Sequence, residues 1–156
     1  MRRYIITSGI ILLIIMLLCS CSRLPNTYPF ENKDQEIKSI ELLYNPYVNK
    51  DEYSTDFVLI RSLEENEFAP FMKDIYSLET DKCITPPVCD FGEYVVFVNY
   101  KNGDMEIFAS WHIEFVESGN NPTGVGAYYF LGDAFDNLFV EYSGTSDFSE
   151  YTIPNV

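Results

Sequence analysis

One histidine, four cysteines and a surplus of carboxylates are the side chains of this chain with the widest chemical range. His112 falls opposite Glu93 across a predicted β-hairpin, and an imidazole oriented by a carboxylate can serve as a base. A base needs a nucleophile within reach, and the sequence holds no G-x-S-x-G, no H-E-x-x-H and no Walker loop. The pair is therefore read as a structural cross-strand pair, and no catalytic residue is assigned. The carboxylate pairs Glu64/Glu65 and Asp133/Asp136 lack EF-hand spacing and suit helix capping or solvation. The stretch Thr123-Gly124-Val125-Gly126 lacks the glycine spacing of a dinucleotide loop. Cys83 and Cys89 bracket Ile-Thr-Pro-Pro-Val; in an exported domain they can close a small disulfide loop or stay reduced. Their spacing is not that of a zinc site, so neither a metal nor a cofactor is expected.

The hairpin that would position these groups runs from Glu93 to His112. Asn102-Gly103 reads as a two-residue type I′ turn between runs rich in Val, Ile, Phe and Tyr. That turn pairs Lys101 with Asp104, Tyr100 with Met105, Asn99 with Glu106, Val98 with Ile107, Phe97 with Phe108 and Val96 with Ala109. Because side chains alternate faces, Tyr94, Val96, Val98, Tyr100, Met105, Ile107, Ala109 and Trp111 are expected to face the core. A slip of one residue would turn Glu106 inward and is disfavoured. The opposite face carries Val95, Phe97, Phe108 and His112. This is the candidate partner-binding patch, or a second small core if the 117–124 loop covers it.

The rest of the domain follows from periodicity. Ile37 to Tyr44 and Asp56 to Leu63 alternate as strands. Phe68, Phe71, Met72, Ile75 and Leu78 fall on one helical stripe, which predicts a helix over 67–78 with Asn66 at its N-cap and Pro70 in its first turn. Ile113 to Val116 extends the hairpin and Val125 to Leu131 makes another strand. Phe135, Leu138, Phe139 and Tyr142 mark a last helix, capped by Asp133 and ended by Gly144. The predicted fold is α+β: an antiparallel sheet of four to six strands with two helices on one face, in the order ββα then βββα.

The N-terminus has an address. Arg2 and Arg3 precede an apolar run from Ile5 to Leu18, which is too short for a comfortable permanent span of roughly 20 residues and reads as a secretory signal. Leu18-Cys19-Ser20-Cys21 resembles the lipobox of bacterial lipoprotein precursors, with Cys19 standing where a small or β-branched residue is commoner. The resemblance implies cleavage before Cys21, diacylation of its thiol (a palmitate-type anchor), and a mature chain tethered to the bilayer. The organisation expected is a signal peptide over 1–20, the lipidated cysteine and a polar tether over 21–36, one domain over 37–144 and a tail over 145–156. The chain has 10 basic and 24 acidic residues. Loss of Arg2 and Arg3 leaves 8 against 24, or −16, a field that repels nucleic acid and anionic headgroups. The layout is similar to that of small, uncharacterised bacterial lipoproteins. The function expected is non-enzymatic binding of a protein or small ligand at the extracytoplasmic side of the cell envelope, in one version as an inhibitor or immunity-type lipoprotein. The alternatives are an envelope enzyme using His112 and Glu93, or a purely structural envelope component.

Overall fold

The computed structural model describes residues 28–30, 34–48, 56–82, 91–121 and 128–151. The expected signal segment, Cys21, Cys83 and Cys89 lie outside them. Runs rich in β-branched, aromatic and other apolar side chains form β1 (Ile37–Tyr44), β2 (Val58–Ser62), β4 (Tyr94–Tyr100), β5 (Met105–Ala109), β6 (Ile113–Val116) and β7 (Tyr128–Phe130), and the polar run Thr-Asp-Lys forms β3 (Thr80–Lys82). The helices are α1 (Glu65–Ser77) and α2 (Ala134–Ser143), followed by a 3-10 turn over Ser149–Tyr151. The strands make one sheet in the order β2-β1-β4-β5-β6-β7-β3, antiparallel at every pairing. The class is α+β, with seven strands where four to six were expected: the 113–116 stretch turns back as a strand of its own, and Thr80–Lys82 adds to β7 at an edge. Among the described residues no helix is long and apolar enough to cross a membrane.

Both helices pack on one face. Phe71, Met72 and Ile75 of α1 and Phe135, Leu138 and Phe139 of α2 enter the same core as Ile40, Leu42, Val96, Val98 and Phe108. The start of α1 lies earlier than its stripe indicates. Glu64 is the N-cap residue, and its N–H donates to Glu67 Oε2 at 2.9 Å, half of a capping box. Pro70 consequently sits in the second turn, where it deprives the Asn66 carbonyl of a helical donor. In α2 the Asp133 side chain makes no capping hydrogen bond, whereas Gly144, at φ +74°, ends the helix as its spacing predicts.

The packed unit is wider than the span 37–144. Phe30, placed by its sequence in a polar tether, is only 8% exposed, and Phe148, placed in a frayed tail, stacks on Tyr44 at 5.2 Å. Aromatics scattered in polar surroundings carry no period; Phe30 packs on Tyr76 of α1, and Phe148 on Tyr94 and on Phe139 of α2.

The hairpin register is the main correction. The observed pairs are Asn99 with Met105, Val98 with Glu106, Phe97 with Ile107, Val96 with Phe108 and Val95 with Ala109, one residue away from the expected set. The loop has three residues, not two: Gly103 N–H donates to Tyr100 O, Tyr100 N–H to Asp104 O, and Gly103 takes φ +95°. This is a type I turn followed by a left-handed glycine bulge. Asn102 Oδ1 accepts from Asp104 N–H, and Asp104 Oδ1 from Ser118 N–H, each at 3.0 Å. Lys101 turns away to pair with Glu36 at 3.0 Å. The slip inverts β5, so Glu106 and Phe108 face the helices while Met105, Ile107 and Ala109 face away.

Inversion costs little apolar burial because the far face is covered too. Leu43, Phe91, Val95, Ile107, Ala109 and Val116 form a second buried cluster, with Phe57, Phe97 and Met105 packed against it. With both parities of β5 buried, alternation cannot choose between them.

Candidate functional site

The buried face that the slip gives to β5 brings a carboxylate into the aromatic core. Glu106 is fully buried. One of its oxygens accepts a hydrogen bond from the Tyr28 hydroxyl and the other accepts from the Tyr100 hydroxyl at 2.7 Å. Tyr100 is directed there by its parity on β4, and Tyr28 by its N–H, which donates to Thr80 Oγ1 at 2.8 Å where β3 begins. Tyr76, on the last turn of α1, lies close enough to feel the same charge.

Burial pushes the Glu106 carboxyl above its ordinary range, and the two phenol donors oppose that rise only in part. Burial first, and then the neighbouring carboxylates of Glu106 and Asp34, push Tyr76 up to about 12. Burial and then Glu106 push Tyr100 far upward. Tyr100 thus stays protonated at any physiological pH and serves as a donor to Glu106. A buried carboxylate with a donor on each oxygen is a stable acceptor site, since an unpaired one would be strongly penalised.

Two clefts flank Tyr76. The larger, about 680 Å³, runs between α1 and the paired ends of β1 and β4. Its apolar surface comes from Ile37, Phe68, Ala69, Met72 and Tyr100, and Glu36, Glu65, Lys73 and Lys101 stand at its rim. The smaller, about 480 Å³, is bounded by Tyr28, Phe30, Tyr76, Leu78, Thr80 and Leu131. Tyr100 opens onto the first and Tyr28 onto the second, and both hold Glu106.

The patch expected on the sheet is not a patch. Val95 and Phe108 are fully buried on opposite faces, Phe97 is half-buried against the far-side cluster, and His112 is 1% exposed. The register slip is the physical reason: it carries Phe108 through the sheet away from Phe97. The alternative of a covered second core describes Val95 and Phe97 correctly, although the cover comes from Phe57 and Phe91. His112 lies in the β5–β6 turn, where its carbonyl accepts from Ala109 N–H at 2.9 Å. Its ring packs on Phe91 at 4.6 Å, and its Nε2 is 3.9 Å from Glu114 Oε2. The Glu93 carboxylate is engaged by the Tyr44 hydroxyl. Each member of the expected His–Glu pair is therefore taken up by another group.

Sequence reasoning missed Glu106, Tyr28 and Tyr76. Two signals pointed to the first two: an acidic residue inside the strand Met-Glu-Ile-Phe, and two aromatics separated by one proline in an otherwise polar stretch; Tyr76, beside the stripe of its helix, carried none. Among the described residues no group of three or more His, Cys, Asp and Glu side chains could hold a metal ion. No family model, no curated protein and no solved structure matches this chain.

Proposed function

We propose that the chain is a lipoprotein of the bacterial cell envelope, acylated on Cys21 and facing the extracytoplasmic side, whose domain binds a ligand or protein without transforming it. The cleft between α1 and the ends of β1 and β4 is the observation that carries the binding half of this reading. Its volume of about 680 Å³ falls among small-molecule sites, which span roughly 300 to 1,000 Å³. An apolar floor under a rim bearing both charges suits an amphipathic ligand, with its apolar body against Phe68 and Met72 and its polar end among Glu65, Lys73 and Lys101. The lipobox carries the other half. A mature net charge of −16 opposes adsorption to anionic headgroups, so attachment falls to the acyl chains, of which two hold stably where one does not. The same acidity suits a basic protein target, as for an inhibitor or immunity-type lipoprotein.

The test uses protein extracted from membranes in mild detergent. Intact mass should show a chain beginning at a diacylated Cys21, and Cys21→Ala should accumulate unprocessed or be released; an uncleaved N-terminus would end the lipoprotein reading. Native mass spectrometry of the same preparation should show a bound species that is lost in Ala69→Trp, whose indole would fill the cleft from an exposed helix position. Retention of that species by the folded variant would move the binding site elsewhere.

A further inference from the structure

Tyr28 and Phe30 belong to neither the sheet nor the helices, yet they sit inside the aromatic core. The Tyr28 ring meets Tyr128 edge-on at 5.4 Å, and the Phe30 ring meets Tyr76 edge-on at 4.8 Å. Both also lie against Phe108, at 6.5 and 6.3 Å. Phe30 is held at φ +45°, a left-handed conformation that a bulky residue adopts only when its surroundings impose it. The seat is therefore fitted to the side chains at the expense of the backbone. Beneath it, Glu106 has no exposure and accepts the Tyr28 phenol on one oxygen. Without that phenol the buried carboxylate would lose a donor, so the seat itself calls for an aromatic ring bearing a hydroxyl.

We propose that Tyr28–Phe30 is a strap occupying a recognition site for a phenol-bearing aromatic segment, latched on Glu106, and that its departure joins the clefts on either side of Tyr76 into one. Tyr76 lines both clefts, while Tyr28 and Phe30 line only the smaller. Removing the strap would expose one trough with Glu106 at its floor and Tyr76, Tyr100 and Phe108 as its walls. The site's external ligand would be a peptide segment with the strap's own chemistry. This inference depends neither on acylation nor on what the larger cleft holds.

The experiment compares the full chain with its Tyr28→Ala/Phe30→Ala variant. The probe is a synthetic peptide of residues 26–31, Asn-Thr-Tyr-Pro-Phe-Glu, beside an analogue carrying phenylalanine in the tyrosine position. The tyrosine peptide should bind the variant saturably and the intact chain at least about tenfold more weakly. The analogue should bind the variant at least about tenfold more weakly than the tyrosine peptide, the scale of one hydrogen bond to a charged group. Equal binding of the two peptides, or no binding to a folded variant, overturns the proposal. Should the double variant fail to fold, Tyr28→Phe decides through hydrogen exchange. Faster exchange confined to the Tyr28 and Phe30 amides supports a strap; lost protection throughout α1 and β5 makes the segment an integral part of the core and overturns it.

Discussion

The two faces of the sheet bury similar residues by different means. On one, α1 and α2 lay continuous apolar stripes over Ile40, Val96, Val98 and Phe108, and the layer is thick enough to enclose a carboxylate with its donors. On the other, among the described residues, the rings of Phe57 and Phe91 close over Leu43, Val95 and Ile107. The polar members differ accordingly. Glu106 is satisfied by phenols inside the thick layer, whereas His112 and Glu114 meet near the end of the thin one. A sheet with both faces covered has no parity reserved for water, and that removes the usual warrant for choosing a register from alternation.

The sharpest way to break this comparison is to truncate one phenylalanine on each face. Phe108→Ala empties a fully buried position under the helices and should cost about 3 to 5 kcal/mol in urea unfolding. Phe97→Ala, half-buried on the thin side, should cost about 1 to 1.5 kcal/mol, roughly half of full burial. Equal costs would mean that the two layers hold the sheet equally. On the expected register the two rings were neighbours on a single patch, where both truncations would have been mild.

Tyr100→Phe comes next. It takes from the Glu106 carboxylate a donor at 2.7 Å, and losing a hydrogen bond to a charged group costs about 1.5 to 3 kcal/mol. The pH dependence gives the sign. Burial holds the folded Glu106 pKa above its unfolded value, so the folded chain binds the proton more tightly. This contribution to stability is complete below the unfolded carboxyl range, near pH 4.5, and is lost as pH rises through the raised folded value. Glu106→Gln should flatten that fall in the thermal midpoint, and Tyr100→Phe should steepen it, since the ionised form then has one donor fewer. A Glu106→Gln midpoint that follows wild type across the whole window would show that another group carries the titration.

Much of the thick face could be read before the structure. The spacing of Phe68, Phe71, Met72 and Ile75 marks α1, that of Phe135, Leu138 and Phe139 marks α2, and β1 and β4 have the core parity their alternation indicates. The site could not be read, because each of its parts arrives by a non-periodic route. Tyr28 stands with Phe30 in a polar segment without a period, Glu106 is turned inward by the length of the hairpin loop, and Tyr76 stands beside the apolar stripe of its helix. Asn102-Gly103 fits a two-residue loop and a three-residue loop alike, and that single ambiguity moved every side chain of β5 to the other face.

Gly103→Ala tests that loop directly. Gly103 has φ +95°, and an added Cβ would stand 2.6 Å from Ser118 Oγ, so the substitution carries both backbone strain and a clash. A cost of about 1 to 2 kcal/mol is expected, above the 0.4 to 1 kcal/mol that alanine would return by stiffening the unfolded chain. A neutral or stabilising result would point to a loop without the left-handed glycine, and hence to the other register.

The smallest effect should come from Lys101→Ala. On the two-residue turn Lys101 would face Asp104 across the hairpin and contribute to its pairing; in the observed loop it reaches Glu36, with the two side chains 60% and 78% exposed. An ion pair that open is worth about 0 to 1 kcal/mol and is screened by salt. Lys101→Ala and Glu36→Ala should therefore each change stability by no more than about 0.5 kcal/mol. A double-mutant cycle should put whatever coupling exists between Lys101 and Glu36, leaving none between Lys101 and Asp104. Coupling to Asp104 instead would restore the tighter turn, return Glu106 to the far face and remove the floor of the site.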